Sequence, residues 1–316
     1  MSDLFVFRIK YMNLLAAQRC SLSSLSAGEP LLGTAIDRVS TWLLVEFSGA
    51  WGKKGIEDGG LPELARARIL QATLGRPWLR PQLIKREGAA EAHASLRVVR
   101  AEKGVETLPL SSIDAVQDVD LAAWADGAAP DGVVRSVAPF VLVCTHGKRD
   151  ACCAEHGLAL YRALRDRLGD DAVWQSTHLG GHRFAATFVT LPSGYQYGRA
   201  RVEDADAIAL AFRTGEVGQP RLVRGRTTLS PAEQVADLAF RDASGVWATQ
   251  DGAAITSAQE PDGVVRVLAR RPTGEVAEIR LRLVLGTEPL IGSCGAIETT
   301  VARSFETLPP DRNAVP

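Results

Sequence analysis

Phe140-Val141-Leu142-Val143-Cys144-Thr145-His146-Gly147-Lys148-Arg149-Asp150-Ala151-Cys152-Cys153 is the run from which the rest of the chain is read. The apolar run 140–143 predicts a buried strand that delivers Cys144, Thr145 and His146 at its end. After a short polar loop, Leu158, Tyr161, Leu164 and Leu168 recur every three or four residues, the period of a helix packed by one face. A second strand over 172–176 runs into Thr177-His178-Leu179-Gly180-Gly181-His182. A third strand over 184–191, a Pro192-Ser193-Gly194 turn and a fourth strand over 195–199 follow.

A strand-helix-strand unit sends both loops out at the carboxyl ends of adjacent parallel strands, so their side chains can meet. The favoured ligand set is Cys144, Cys153, His178 and His182. Two thiolates with two imidazoles suit zinc or an iron-sulfur cluster, and the count does not choose between them. Adjacent residues on a helix point about 100 degrees apart, so Cys152 and Cys153 should not both reach one metal. His178 and His182 have the spacing of HExxH, but Leu179-Gly180-Gly181 contains no Glu and disfavours helix. The glycines are expected to let the backbone pass close to an inorganic core.

Two other sets fit less well. Cys144 with His146, and Cys153 with His156, imitate the halves of a Rieske site, yet His156 falls inside the predicted helix, the wrong platform. A structural zinc knuckle spaces its cysteines by about two to four residues, whereas eight separate Cys144 from Cys153. A catalytic zinc would look to Asp150 or Glu155 for a base. Thiol catalysis lacks a CxxC.

The chain has 316 residues, enough for two or three domains, and its net charge of -1 gives no overall attraction for nucleic acid. Lys148, Arg149, Arg183 and Arg199 are expected to form a local basic face near the ligand loops. No run of about twenty apolar residues predicts a membrane span, and residues 1–20 lack a secretory h-region, so a cytoplasmic location is expected. Five cysteines, an odd number, do not form a disulfide framework. Cys20 is expected to pack as a small hydrophobe, and Cys294 to be structural.

Along the chain, 3–9 predicts an edge strand, 21–26 a loop, 34–39 a helical turn and 42–47 a buried strand. Residues 61–74 have a helical period, 79–86, 95–101 and 105–108 read as strands, and 113–124 as a helix. This order matches that of 140–212, and a histidine precedes a strand pair in each part, His93 and His182. The first part is therefore expected to be a degenerate copy of the second, without its ligands. Three domains follow: 1–133, α/β; 134–217, carrying the ligands; and 218–316, a small α+β module with a helix capped at Ser230 and strands over 264–269 and 276–284.

The run Cys144-Thr145-His146-Gly147-Lys148-Arg149-Asp150-Ala151-Cys152-Cys153-Ala154, with Trp174-Gln175-Ser176-Thr177-His178-Leu179-Gly180-Gly181-His182-Arg183-Phe184, resembles the sucrase/ferredoxin-like family. The likeness extends more loosely through Cys20-Ser21, Gly33-Thr34-Ala35, Leu44-Val45-Glu46 and Trp51-Gly52 to Tyr197-Gly198-Arg199, and fades after Arg213. It implies a thioredoxin-like ferredoxin domain whose [2Fe-2S] cluster is held by Cys144, Cys153, His178 and His182, and it favours Cys153 over Cys152. It implies no glycosidase. Histidine ligation should raise the potential above that of a four-cysteine ferredoxin and make it depend on pH. The expected function is one-electron transfer between unidentified redox proteins. A mononuclear zinc protein or enzyme on the same ligands, and a metal-free binding domain, are the alternatives.

Overall fold

The structure is a computed structural model that describes residues 19–88 and 94–309. The strand expected over 3–9 and His93 lie outside the described residues. The first part runs α1 (Cys20–Ser26), β1 (Thr41–Glu46), a small hairpin of β2 (Trp51–Gly52) and β3 (Gly55–Gly59), then α2 (Glu63–Thr73) and β4 (Leu79–Lys85). It continues with β5 (Ala94–Arg100), β6 (Gly104–Leu110), α3 (Leu121–Asp126) and a short edge strand, β7 (Val134–Ser136). The second part is β8 (Phe140–Cys144), α4 (Ala151–Leu168), β9 (Val173–Ser176), β10 (Phe188–Leu191), β11 (Tyr195–Tyr197) and α5 (Ala205–Thr214). Finally come β12 (Val223–Arg226), α6 (Pro231–Ser244), β13 (Ala254–Gln259), β14 (Val265–Arg270), β15 (Val276–Ile291) and β16 (Thr299–Leu308).

One sheet of ten strands, in the order β12-β11-β10-β8-β9-β4-β1-β5-β6-β7, contains both parts. In the second, β8 and β9 are parallel, and β10 runs antiparallel to both β8 and β11. The order β11-β10-β8-β9, with α4 crossing between the parallel strands β8 and β9, is the thioredoxin-like arrangement. In the first, β1 and β4 are parallel and β5 is antiparallel to β1 and β6, giving the same order and directions. The two quartets meet edge to edge through β4 and β9, at Ile84 opposite Ser176 and Lys85 opposite Gln175. Every residue of β1, β8 and β9 is buried, as strands covered on both faces require.

Several elements depart from expectation for local reasons. The segment 21–26 forms part of α1 instead of a loop, packing Cys20, Ser21 and Ser24 inward, and 34–39 makes turns without a helix. The helix expected over 113–124 is split: a 3-10 turn, Ile113–Asp118, ends at an extended Val119, and Asp120 caps α3 by accepting from the N–H of Ala123. Phe184 belongs to a 3-10 turn, His182–Phe184, and the third strand begins only at Phe188. β12 adds to the large sheet through β11. β13 to β16 form a separate antiparallel sheet, packed by α6 through Ala232, Ala236 and Phe240. α6 starts with the capping box expected from Ser230, Pro231 and Glu233. No described helix is long and apolar enough to cross a membrane.

Candidate metal centre

β8 ends at Cys144 and α4 begins at Ala151, so the short loop between them sets Cys144 against the first turn of the helix. Asp150 fixes that turn, its Oδ1 accepting from the N–H of Cys152 at 2.9 Å. The adjacent cysteines then diverge as a helix demands. Cys153 turns toward Cys144 and His178, while the Cys152 sulfur lies 3.7 Å from that of Cys20 and 3.3 Å from that of Cys294.

The histidine loop leaves β9 and is held by the first quartet. Thr177 donates its N–H to the carbonyl of Leu83 at 2.9 Å and accepts the N–H of Leu83 at 3.1 Å. The His178 carbonyl accepts from Nη2 of Arg80 at 3.1 Å, and the Gly180 carbonyl from Nη1 of buried Arg224 at 2.8 Å. Gly180 and Gly181 have φ of +88° and +70°, and a Cβ at Gly181 would stand 2.5 Å from the Arg224 guanidinium. The double glycine is thus required by left-handed backbone and by the close approach of a buried arginine. That is a different reason from the passage beside an inorganic core expected from the sequence.

Cys144 Sγ lies 4.0 Å from Nδ1 of His178, and Cys153 Sγ lies 3.8 Å from the same nitrogen. Donor atoms of Cys144, Cys153 and His178 all fall within 4.8 Å of one another, a grouping able to hold a metal ion. His182 stands beyond this trio, with Nδ1 3.3 Å from Nε2 of His178, ring centroids 4.9 Å apart, and Nε2 3.8 Å from Oδ2 of Asp150. The fold therefore brings three of the four residues singled out in the sequence, Cys144, Cys153 and His178, into one group, and sets His182 beside His178 on the side opposite the two sulfurs.

The hydrogen bond between the two thiols drives their acidities apart. The hydrogen bond from Cys153, with His178 beside it, holds Cys144 well below the usual thiol range. Hydrogen bonding to Cys144, together with burial, pushes Cys153 up. Burial lowers His182, and the neighbouring His178 adds to this, so a neutral imidazole, the form that binds metal, is favoured.

The competing histidines have other work. His146 Nδ1 accepts the N–H of His178 at 3.2 Å while its Nε2 lies 2.6 Å from the Gly52 carbonyl, which fixes a neutral ring with its proton on Nε2. Burial lowers its pKa, in accord with this. His146 thus positions the backbone of His178. His156 pairs its Nδ1 with Nη1 of Arg201 at 3.0 Å.

The basic face is smaller than expected. Lys148 and Arg149 are exposed, but Arg183 donates from Nε to both carboxylate oxygens of Glu29, at 2.9 and 2.8 Å. Arg199 reaches the Ser24 hydroxyl at 2.9 Å and the Glu29 carbonyl at 2.7 Å. These two arginines bind α1 and the segment after it to the histidine loop and to the chain that follows β11. Lys53, Lys54, Arg80 and Arg149 instead line a cavity of about 480 Å³ that reaches His146 and His178. Burial lowers Arg80 to about 10 and Arg224 to about 9. Sequence reading missed Arg80, Arg224 and Glu29, whose partners lie far away in the chain. Cys20, expected as a simple core residue, is also in contact with the Cys152 and Cys294 thiols.

These features define an α/β protein with two groups of donors each able to hold a metal ion, Cys144, Cys153 and His178 in one and Cys20, Asp150, Cys152 and Cys294 in the other. Residues 31–225 match the family described as sucrase/ferredoxin-like, and the chain belongs to that family. No curated protein matches it. Among solved structures it is similar to two cysteine-to-serine variants of the thioredoxin-like [2Fe-2S] ferredoxin from Aquifex aeolicus. Each is 19% identical and covers 28% of this chain and 99% of its own, with TM-scores of 0.26 and 0.25.

Proposed function

We propose that the chain is a one-electron transfer protein, or redox component, whose Cys144, Cys153, His178 and His182 hold a [2Fe-2S] cluster. The observation that carries this reading is the donor set. Donor atoms of Cys144, Cys153 and His178 lie within 4.8 Å of one another and His182 stands 3.3 Å beyond His178, so two thiols and two imidazoles, the donors of a histidine-ligated cluster, come from two neighbouring loops. A cluster bound there supplies a one-electron couple that is neutral when oxidised and carries a charge of about -1 when reduced. The residues around it are suited to that change. Arg80 and Arg224 lie close enough to Cys144 to feel its charge, and both favour the more negative state. Lys53, Lys54 and Arg149 present positive charge at the cavity beside His178, a surface suited to an acidic redox partner.

The same reading assigns 1–133 to a degenerate thioredoxin-like copy, supported by its matching strand order, 134–217 to the cluster domain and 218–316 to an α+β module. It takes the protein as cytoplasmic, in keeping with five free cysteines.

A second reading, a mononuclear metal site, is favoured by the closeness of Cys144, Cys153 and His178. Anaerobic purification followed by iron, acid-labile sulfide and zinc analysis separates the two. A red-brown protein with about two irons and two sulfides per chain supports the cluster. A colourless protein with about one zinc and no sulfide replaces it with the second reading.

A further inference from the structure

The remaining three cysteines form a group of their own. Cys20 begins α1, Cys152 lies in the first turn of α4, and Cys294 lies between β15 and β16, yet their sulfurs make a triangle with sides of 3.7, 3.3 and 3.6 Å. Cys20 and Cys152 are fully buried, and Ala185 and Ile291 pack around the group. Asp150 completes it: its oxygens lie 3.6 and 3.7 Å from the Cys20 sulfur, and all four donors fall within 4.8 Å of one another.

A zinc ion with Zn–S of about 2.3 Å and Zn–O of about 2.0 Å has tetrahedral edges of about 3.8 Å between sulfurs and about 3.5 Å between sulfur and oxygen. The observed triangle lets an ion touch all three sulfurs at that distance from about 1 Å out of their plane. A [4Fe-4S] core would put each cysteine on a different iron and hold the sulfurs farther apart than this. Asp150 also caps α4, so the carboxylate alone does not mark a site; the three thiols drawn to it from distant segments of the chain do.

We propose that Cys20, Cys152, Cys294 and Asp150 form a second metal site, for a tetrahedral divalent cation of the zinc class. The Asp150 carboxylate is oriented by the N–H groups of Cys152 and Cys294, at 2.9 and 2.8 Å, and by the Ser293 hydroxyl at 3.1 Å. The ion replaces up to three thiol protons, and no electron transfer is involved. It ties together segments 130 to 274 residues apart in the chain, and so fastens the β15–β16 loop to the start of α4. The site shares no ligand with Cys144, Cys153, His178 and His182, and its existence does not depend on the identity of that centre.

The test uses the full chain, purified anaerobically without chelator, with zinc, iron and sulfide measured in the parent, Cys20→Ser and Cys294→Ser. The expected result is about one zinc per chain in the parent, lost in both variants with iron and sulfide unchanged. Retention of that zinc in both variants overturns the proposal, as does its absence from the parent. Should the variants not fold, alkylation of the intact parent decides: Cys20, Cys152 and Cys294 should be protected until zinc is stripped with a strong chelator. Equal labelling before and after stripping, or a disulfide joining two of the three, refutes the site. Loss of iron and sulfide in Cys144→Ser reports separately on the cluster, so either reading can fail without the other.

Discussion

Glu29 is buried, at 1% exposure, and its carboxylate accepts both contacts from Nε of Arg183 and the Ser24 hydroxyl at 2.7 Å. Arg183 directly follows His182, so this ion pair fixes the turn that presents the second imidazole. Glu29→Gln keeps the volume but removes the charge and puts an amide N–H where an acceptor stood. A hydrogen bond to a charged group contributes about 1.5–3 kcal/mol, and Arg183, whose side chain is 25% exposed, recovers part of its loss from water. A destabilisation of about 1–2 kcal/mol is expected. Glu29→Ala, which strands Arg183 and leaves a void, should cost about 3 kcal/mol, the low end for breaking a buried pair. Urea unfolding at constant slope measures both. The visible spectrum of the metal-loaded protein, through disorder at His182, should broaden in each variant. A Glu29→Gln protein within about 0.5 kcal/mol of the parent would refute the reasoning.

On the proposed [2Fe-2S] reading, replacing His178 or His182 by Cys should retain the cluster and lower its potential, because a thiolate adds negative charge; voltammetry showing no change makes those side chains bystanders. Arg80→Leu should lower the potential as well, by removing a positive charge that braces the His178 carbonyl, and an unchanged midpoint counts against this. In Gly157→Ala, a Cβ would stand 2.0 Å from the Cys144 carbonyl oxygen. α4 must then back away from β8, with a loss of about 1–3 kcal/mol in a denaturant melt and impaired metal retention. Burial alone would raise Asp251, but the hydrogen bond from Arg271 and the charge of Arg241 hold it below the usual carboxylate range. Its folded pKa is depressed, so its contribution is present above about pH 4 and fades as pH falls through the lower folded value. Asp251→Asn should therefore flatten the acid limb of stability against pH, and an unaltered limb shows that Asp251 has no such role.

The sequence alone determined the local pattern. Continuous apolar runs marked β1 and β8, the three-to-four-residue period marked α2 and α4, and the spacing of Cys144, Cys153, His178 and His182 placed four donors in two neighbouring loops. Such features are local, since periodicity and turn residues act over a few positions. Only the tertiary structure decided which thiols meet. Cys152 and Cys153 are adjacent in the chain, yet the helical turn sends one to Cys144 and the other to Cys20 and Cys294. Arg80, Arg224 and Glu29 acquire their importance in the same way, from buried charge that must find a partner wherever the fold supplies one. The sequence distance between those partners carries no trace of the contact. The sheet edge joining β4 to β9 likewise exists only once both quartets have folded, and it seats the histidine loop against the first half of the chain.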